Sequence, residues 1–308
     1  MRFAIYGAGG LGAYYGARLQ AAGQDVGFIA RGTNLETMRA HGLRILSPLG
    51  DLHLPEVKVT SNPVDLGPVD FIVVAVKTWQ VTEVAQAMGP LLGPATIAVP
   101  FLNGVDAPYQ LAEVLGPDRV LGGLSRIFSM IESPGVIRHF NDSAYVSFGR
   151  LDNSASKAAE RLRDAFDAAG VDSEVAPDIA RALWEKLILV SSWTGISTLA
   201  RSPMGILRDS VPLKELVDRC IDEGIAVARA RGIEIAPDYK ATMWAFYAGL
   251  PDGATGSMTR DIWSERPSEL DAWCGAIHRI GGELGVPTPT HTMCYRLLQP
   301  IEAAARNP

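Results

Sequence analysis

Apolar and polar positions alternate in the first thirty-one residues in a way that predicts strand, turn, helix and strand. Arg2 to Tyr6 is a short apolar run (Phe3, Ala4, Ile5, Tyr6) that reads as a buried strand. It breaks at Gly7-Ala8-Gly9-Gly10-Leu11-Gly12, and Leu11 to Ala22 then carries apolar and small residues at helical spacing. A second apolar run, Asp25 to Ala30, follows Gly23 and completes a βαβ unit. Leu35 to His41 predicts a short helix ending at Gly42. Leu43 to Leu46 and Leu52 to Leu54 predict hairpin strands around the turn-rich Ser47 to Asp51. Val69 to Val76, the most apolar strand, suits the middle of a parallel sheet and ends in Lys77-Thr78.

Gln80 to Leu92 reads as a helix and Thr96 to Val99 as a buried strand running into Pro100-Phe101-Leu102-Asn103-Gly104. Asp106 to Leu115 predicts a helix and Arg119 to Gly122 a strand. Strand-like runs follow at Arg126 to Ile131, Val136 to Phe140 and Ala144 to Phe148. Ser154 to Ala169 is an amphipathic helix and Ser173 to Val175 a last strand. After Pro177 no run reads as a strand. Ile179 to Leu199, Leu213 to Arg231, Asp238 to Tyr247, Pro267 to Leu284 and Thr290 to Ala304 all read as helices. The pattern predicts a doubly wound α/β domain over residues 1–177 and an all-helical domain over 178–308, with Asp178 placed to cap the next helix.

Composition narrows the class. With 308 residues, 47% hydrophobic and 20% charged, the chain has material for two ordinary cores. A net charge of −6 argues against a nucleic-acid partner and for a soluble, cytoplasmic protein. Three widely spaced cysteines and five scattered histidines suggest neither a disulfide framework nor a metal site. The N-terminus opens directly on a strand, which predicts no cleavable signal. The charge-free run from Val84 to Val105 is interrupted by Gly89-Pro90, Gly93-Pro94 and Pro100, so it reads as helix, turn and strand. Leu187 to Ala200 is too short and too polar to cross a bilayer.

The glycine turn carries the first chemistry. Gly7 permits a tight turn, Gly9 removes a Cβ that would block a pyrophosphate, and Gly12 lets helix and strand pack closely. Phosphates then meet N–H groups at the positive end of a helix dipole. A ribose-binding carboxylate is expected about 20 residues past the glycines. Instead Arg31 stands there, with no carboxylate before Glu36. A planar cation suits a 2′-phosphate, which favours NADP(H) over NAD(H); the plainer alternative is a solvated loop arginine. Lys186, in Leu183-Trp184-Glu185-Lys186-Leu187-Ile188-Leu189-Val190, lies on an apolar helix with no further charge until Arg201. Burial disfavours the charged form of a lysine and brings its ammonium closer to useful acid strength. The alternative is a lysine that snorkels to solvent beside Glu185. Thr255-Gly256-Ser257-Met258-Thr259-Arg260-Asp261 reads as a polar loop before a helix, with Ser257 and nearby N–H groups suited to a carboxylate. Glu269 and Asp271 follow near the expected start of the next helix, where they also complement its dipole.

These motifs, in this order and over nearly the whole length, resemble the ketopantoate reductases (2-dehydropantoate 2-reductases). The resemblance rests on Gly7 to Gly12, Arg31, Val76-Lys77-Thr78 with Gln80, and Asn103-Gly104. It extends through Trp184-Glu185-Lys186-Leu187, Ser257-Met258 with Asp261, and Glu269-Leu270-Asp271. It implies a Rossmann-like sheet domain followed by a 6-phosphogluconate-dehydrogenase-like helical domain. It also implies NADPH-dependent reduction of 2-dehydropantoate to (R)-pantoate, a step of pantothenate biosynthesis. Gly7, Gly9, Gly10, Leu11, Gly12, Arg31, Lys77 and Asn103 would then bind the cofactor. Lys186 would donate a proton to the keto oxygen, with Glu269 on the substrate hydroxyl and Ser257 on its carboxylate. Asn103 would lie beside the nicotinamide and the lysine.

This chain departs from the family pattern at three places. Asparagines are usual four and eight residues after the lysine and five after the glutamate; here those positions are Val190, Thr194 and Cys274. Trp193, Trp263 and Trp273 add bulk to the same region. These departures leave open a paralogue acting on another small 2-oxo or 2-hydroxy acid, or a non-catalytic NADP(H)-binding sensor. The long apolar helices also leave room for a homodimer interface.

Overall fold

The structure, a computed structural model, describes residues 1–306 of the chain. It divides into two compact units, Met1–Leu102 with Asp106–Ile179, and Asn103–Val105 with the residues from Ala180 onward. The first unit begins β1 (Arg2–Tyr6), α1 (Gly10–Ala21), β2 (Asp25–Ile29), α2 (Gly32–His41), β3 (Leu43–Leu46), β4 (Leu52–Leu54) and β5 (Lys58–Thr60). It continues β6 (Val69–Val74), α3 (Val81–Ala87), β7 (Leu92–Pro100), α4 (Ala107–Leu115) and β8 (Gly122–Arg126). It closes with β9 (Ser129–Ser133), β10 (Val136–His139), β11 (Tyr145–Gly149), α5 (Lys157–Ala168) and β12 (Asp172–Val175).

Five parallel strands form the main sheet in the order β5-β2-β1-β6-β7. The chain order reverses between β1 and β6, the switch point where open α/β sheets bind ligands at their carboxyl ends. Period-two alternation decides the two faces. Phe3, Ile5, Phe71, Val73 and Val99 pack with Ala13, Tyr14 and Ala17 of α1 on one side. Ala4, Tyr6, Ile72, Val74 and Ala98 pack with Val81 and Val84 of α3 and Leu111 of α4 on the other. Each such large side chain stabilises the sheet by about 1.5–3 kcal/mol, and because both faces are buried the strands read as continuous apolar runs. Two smaller sheets, β4-β3-β10-β9 and β12-β11-β8, complete the unit.

Among the described residues the second unit has no strand. It contains α6 (Ile179–Ala200, whose first residue belongs to the first unit), α7 (Met204–Asp209), α8 (Val211–Ala230) and α9 (Tyr239–Ala248). After these come α10 (Ser257–Trp263), α11 (Cys274–Leu284) and α12 (Pro289–Arg306). No helix among the described residues is long and apolar enough to cross a membrane.

Four local expectations are corrected. The helix expected over Gln80 to Leu92 ends at Ala87, because the Gly89-Pro90 pair tightens into a 3₁₀ turn and Leu92 already starts β7. Residues 117–119 form a 3₁₀ turn rather than the start of a strand; Val120 makes an isolated parallel bridge to Ala98, and the strand itself begins at Gly122. Ser257 to Asp261 belong to α10 and not to a loop. The helix expected from Pro267 starts only at Cys274. Upstream, the Glu302 carboxylate takes the Ser268 N–H at 3.0 Å and its hydroxyl at 2.5 Å, and Trp273 adopts a non-helical φ of −110° and ψ of −91°. Glu269 and Asp271 therefore sit on successive turns and not in a helix's first turn, so the dipole role for them is withdrawn.

Candidate functional site

Each unit carries one half of the candidate machinery. In the first, the carboxyl end of β1 turns at Gly7, whose φ is +103°. A Cβ there would lie 2.7 Å from the Ala75 carbonyl oxygen, so only glycine fits. The turn is held by the N–H groups of Gly7 and Ala8, which both donate to the Ile29 carbonyl, at 3.1 and 3.2 Å. Gly12 is tighter still, since its Cβ would stand 2.1 Å from the Gly7 carbonyl oxygen. Gly9, the residue preceding α1, is different: nothing lies within 4 Å of where its Cβ would be. Gly10 presses on the backbone of β9, with Met130 Cα 2.8 Å from the Cβ position, and Leu11 is half-buried.

The open space at Gly9, set at the start of a twelve-residue helix with no acidic residue in its first turn, fits a pyrophosphate. Arg31 caps α2 at the end of β2, and its guanidinium lies 3.4 Å from Glu83 Oε1 with both side chains about two-thirds exposed, at 64% and 67%. No acidic residue stands in the first turn of α2. Burial raises the pKa of the neighbouring Tyr6 hydroxyl, an effect that the Arg31 charge opposes. Lys77 follows β6; its backbone N–H donates to Gln80 Oε1 at 3.2 Å, and its ammonium lies 5.9 Å from the centre of the Trp79 ring.

The second unit holds Asn103, Lys186, Ser257 and Glu269. Lys186 on α6 is 9% exposed and Glu269 8%. Glu185 is engaged elsewhere, 2.8 Å from Arg181 Nε, so the reading of Lys186 as a surface lysine beside Glu185 is set aside. Ser257 opens α10 behind Gly256, where a Cβ would meet Thr194 Cγ2 at 2.4 Å. Asn103 precedes Gly104, whose φ of +98° lets the chain pass the Ala272 carbonyl.

The hydroxyls of α6 bond within the unit. Ser192 donates to the Ile188 carbonyl at 2.7 Å, Thr194 to Val190 at 2.7 Å, Ser197 to Ser202 at 2.7 Å and Thr198 to Thr194 at 2.6 Å. Thr259 of α10 joins this set through Thr198, 3.0 Å away. Cys274 is buried with its Sγ 3.8 Å from the Ser191 carbonyl, and burial pushes its thiol pKa well up. The three tryptophans belong to the packing: Trp193 sits against Tyr247, the Trp263 indole N–H donates to the Thr198 carbonyl at 3.2 Å, and Trp273 is buried.

One polar network was not foreseen. Glu223 on α8 accepts the N–H groups of Thr290 and His291 at 2.7 and 2.9 Å, and its Oε2 lies 3.0 Å from His291 Nδ1. His291 Nε2 is 3.3 Å from the Ser191 hydroxyl. Desolvation pushes the Glu223 carboxyl pKa up, but the His291 side chain and these backbone N–H groups outweigh it, and the net shift is downward. No sequence spacing announces three partners on three helices. No group of three or more metal-ligating side chains occurs among the described residues.

A sheet in this strand order with a glycine turn at its switch point has the form of a dinucleotide-binding domain, and the helical unit that follows it holds a buried lysine. Family models described as ketopantoate reductase PanE/ApbA and its C-terminal domain match residues 3–153 and 178–302. The chain belongs to the ketopantoate reductase family, NAD(P)-dependent oxidoreductases that act on 2-oxo acids. It is 28% identical to the 2-dehydropantoate 2-reductase of Mesorhizobium japonicum, over 94% of each chain. The crystal structure of 2-dehydropantoate 2-reductase from Geobacter metallireducens is similar with a TM-score of 0.92 at 31% identity, over 97% of this chain and 99% of that one. D-mandelate dehydrogenase, solved with NADH and anilino(oxo)acetate, shares the fold with a TM-score of 0.91 at 23% identity, over 99% of each chain.

Proposed function

We propose that this chain is an NADPH-dependent reductase of small 2-oxo acids, 2-dehydropantoate among them, with Lys186 as the proton donor. The observation that carries this reading is Lys186 itself, a cation held nearly buried on α6 in a unit that also buries Glu269. Reduction of a keto group places negative charge on its oxygen, and a preorganised ammonium stabilises that charge and delivers the proton that completes the alcohol. Glu269 accepts a hydrogen bond from the substrate hydroxyl, Ser257 donates to the substrate carboxylate, and Asn103 orients the reacting groups beside Lys186. Gly7, Gly9, Gly10, Leu11 and Gly12 shape the pyrophosphate site, Arg31 recognises the 2′-phosphate, and Lys77 contacts the dinucleotide. When bound, the dinucleotide supplies the hydride.

The test is absorbance of NADPH, compared with NADH, over a panel of 2-oxo acids. Saturable NADPH oxidation is expected with wild type. Lys186→Ala should lower kcat by about 10²–10⁴-fold with NADPH still bound. Full turnover by that variant removes the role of Lys186, and wild-type inactivity across the panel removes the reductase reading.

A further inference from the structure

We propose that Asn34 is a positioning residue for the dinucleotide: its side-chain amide fixes the Ala8–Gly9 peptide so that an N–H, and not a carbonyl oxygen, faces the pyrophosphate. This role rests on the reading of the glycine turn as the pyrophosphate site. Asn34 lies in the first turn of α2 and is half-buried, whereas Arg31, Gly32 and Thr33 before it are exposed. Its Nδ2 donates to the Ala8 carbonyl at 2.7 Å, and its Oδ1 accepts the Gly135 N–H at 2.9 Å. Gly135 forms the turn between β9 and β10 with a φ of +73°, and a Cβ there would lie 2.9 Å from Thr37 Cγ2 of α2. One amide thus ties the glycine turn to a hairpin whose Met130 backbone also presses on Gly10. The N–H groups of Gly7 and Ala8 are taken by the Ile29 carbonyl, but among the described residues the Gly9 N–H meets no protein acceptor. A trans peptide is planar, so its C=O and N–H point in opposite directions. By holding the Ala8 oxygen, Asn34 therefore aims the Gly9 N–H. Restraint is needed at this joint, because Gly9 has no Cβ and open space around it, so rotation of the peptide meets little steric resistance. Rotated by half a turn, the same peptide would direct its carbonyl oxygen at an anion.

The experiment is fluorescence titration with NADPH and with NADH, beside thermal melting of the coenzyme-free protein. Asn34→Ala should weaken both coenzymes alike, by about tenfold, because both carry the pyrophosphate, while Arg31→Ala should weaken NADPH alone. Asn34→Asp keeps an acceptor for the Gly135 N–H and loses the donor to Ala8. It should melt near the wild-type temperature and still bind both coenzymes about tenfold more weakly, at high salt as well, where its added charge is screened. A merely structural asparagine would change the melt and leave the affinity of the folded protein alone. If Asn34→Ala fails to fold, Asn34→Asp decides. Unchanged affinity in a folded variant overturns the proposal, and so does a loss confined to NADPH, which would assign the effect to Arg31. Binding of neither coenzyme by wild type overturns the reading of the glycine turn itself.

Discussion

The glycine turn after β1 and the surface of α6 around Lys186 are candidate sites built in opposite ways. At the turn the site is built from absent atoms: Gly7 and Gly12 exist because a Cβ would strike backbone, and Gly9 leaves a space that nothing in the protein fills. On α6 the candidate site is built from atoms present, a nearly buried lysine with Leu189 and Val190 on its face of the helix. A site made of absences recognises what all nucleotides of its class share, since backbone N–H groups and a dipole read phosphate alone. A site made of side chains distinguishes one small acid from another. That difference explains why the first half can be recognised from glycine spacing, while the second demands the identity of each residue.

The sharpest way to break the comparison is Gly12→Ala. Its methyl would overlap the Gly7 carbonyl oxygen, so the βαβ unit should lose about 3 kcal/mol or more and the variant should fail to give a cooperative melt. Glu223→Gln in the helical unit should cost about 2 kcal/mol, because a charged acceptor for two N–H groups and a histidine is weakened. The folded Glu223 pKa lies below its unfolded value. Its contribution is therefore fully present above the unfolded carboxyl pKa and fades as pH falls through the folded one. Acid titration followed by circular dichroism should show that loss in wild type and a shallower decline in Glu223→Gln. Gly9→Ala sharpens the contrast with Gly12, since its methyl meets open space and its φ is −80°. Thermal stability should be unchanged while NADPH affinity, read by fluorescence titration, falls about tenfold. The smallest effect is Thr194→Val, which should cost about 1 kcal/mol or less on thermal melting, because that hydroxyl bonds to its own helix.

The order of strands and helices was largely legible because both sheet faces are buried, which turns β1, β2 and β6 into unmistakable apolar runs. What escaped was short or tertiary in origin. β5 has three residues, Lys58-Val59-Thr60, and pairs along one side only, so it offers no apolar run to read. α7 and α10 have six and seven residues, less than two full turns. Residues 267–273 look helical by periodicity, but Glu302 on α12, more than thirty residues away, captures Ser268. At the site, the glycines and Lys186 were visible from composition and context. The inward turn of Thr194 was not, because the sequence that shows a hydroxyl does not show its partner.

The internal bonding of α6 has a consequence for descent. Ser191 beside His291, Thr198 3.0 Å from Thr259 and the close packing of Gly195 against Cys274 and Cys294 tie the helix to its neighbours without using the side chains of Leu189 and Val190. Those two positions can therefore drift without disturbing the frame that holds Lys186. A lineage could change these two side chains by single substitutions, each tolerated as it arose, while Lys186 stayed in place.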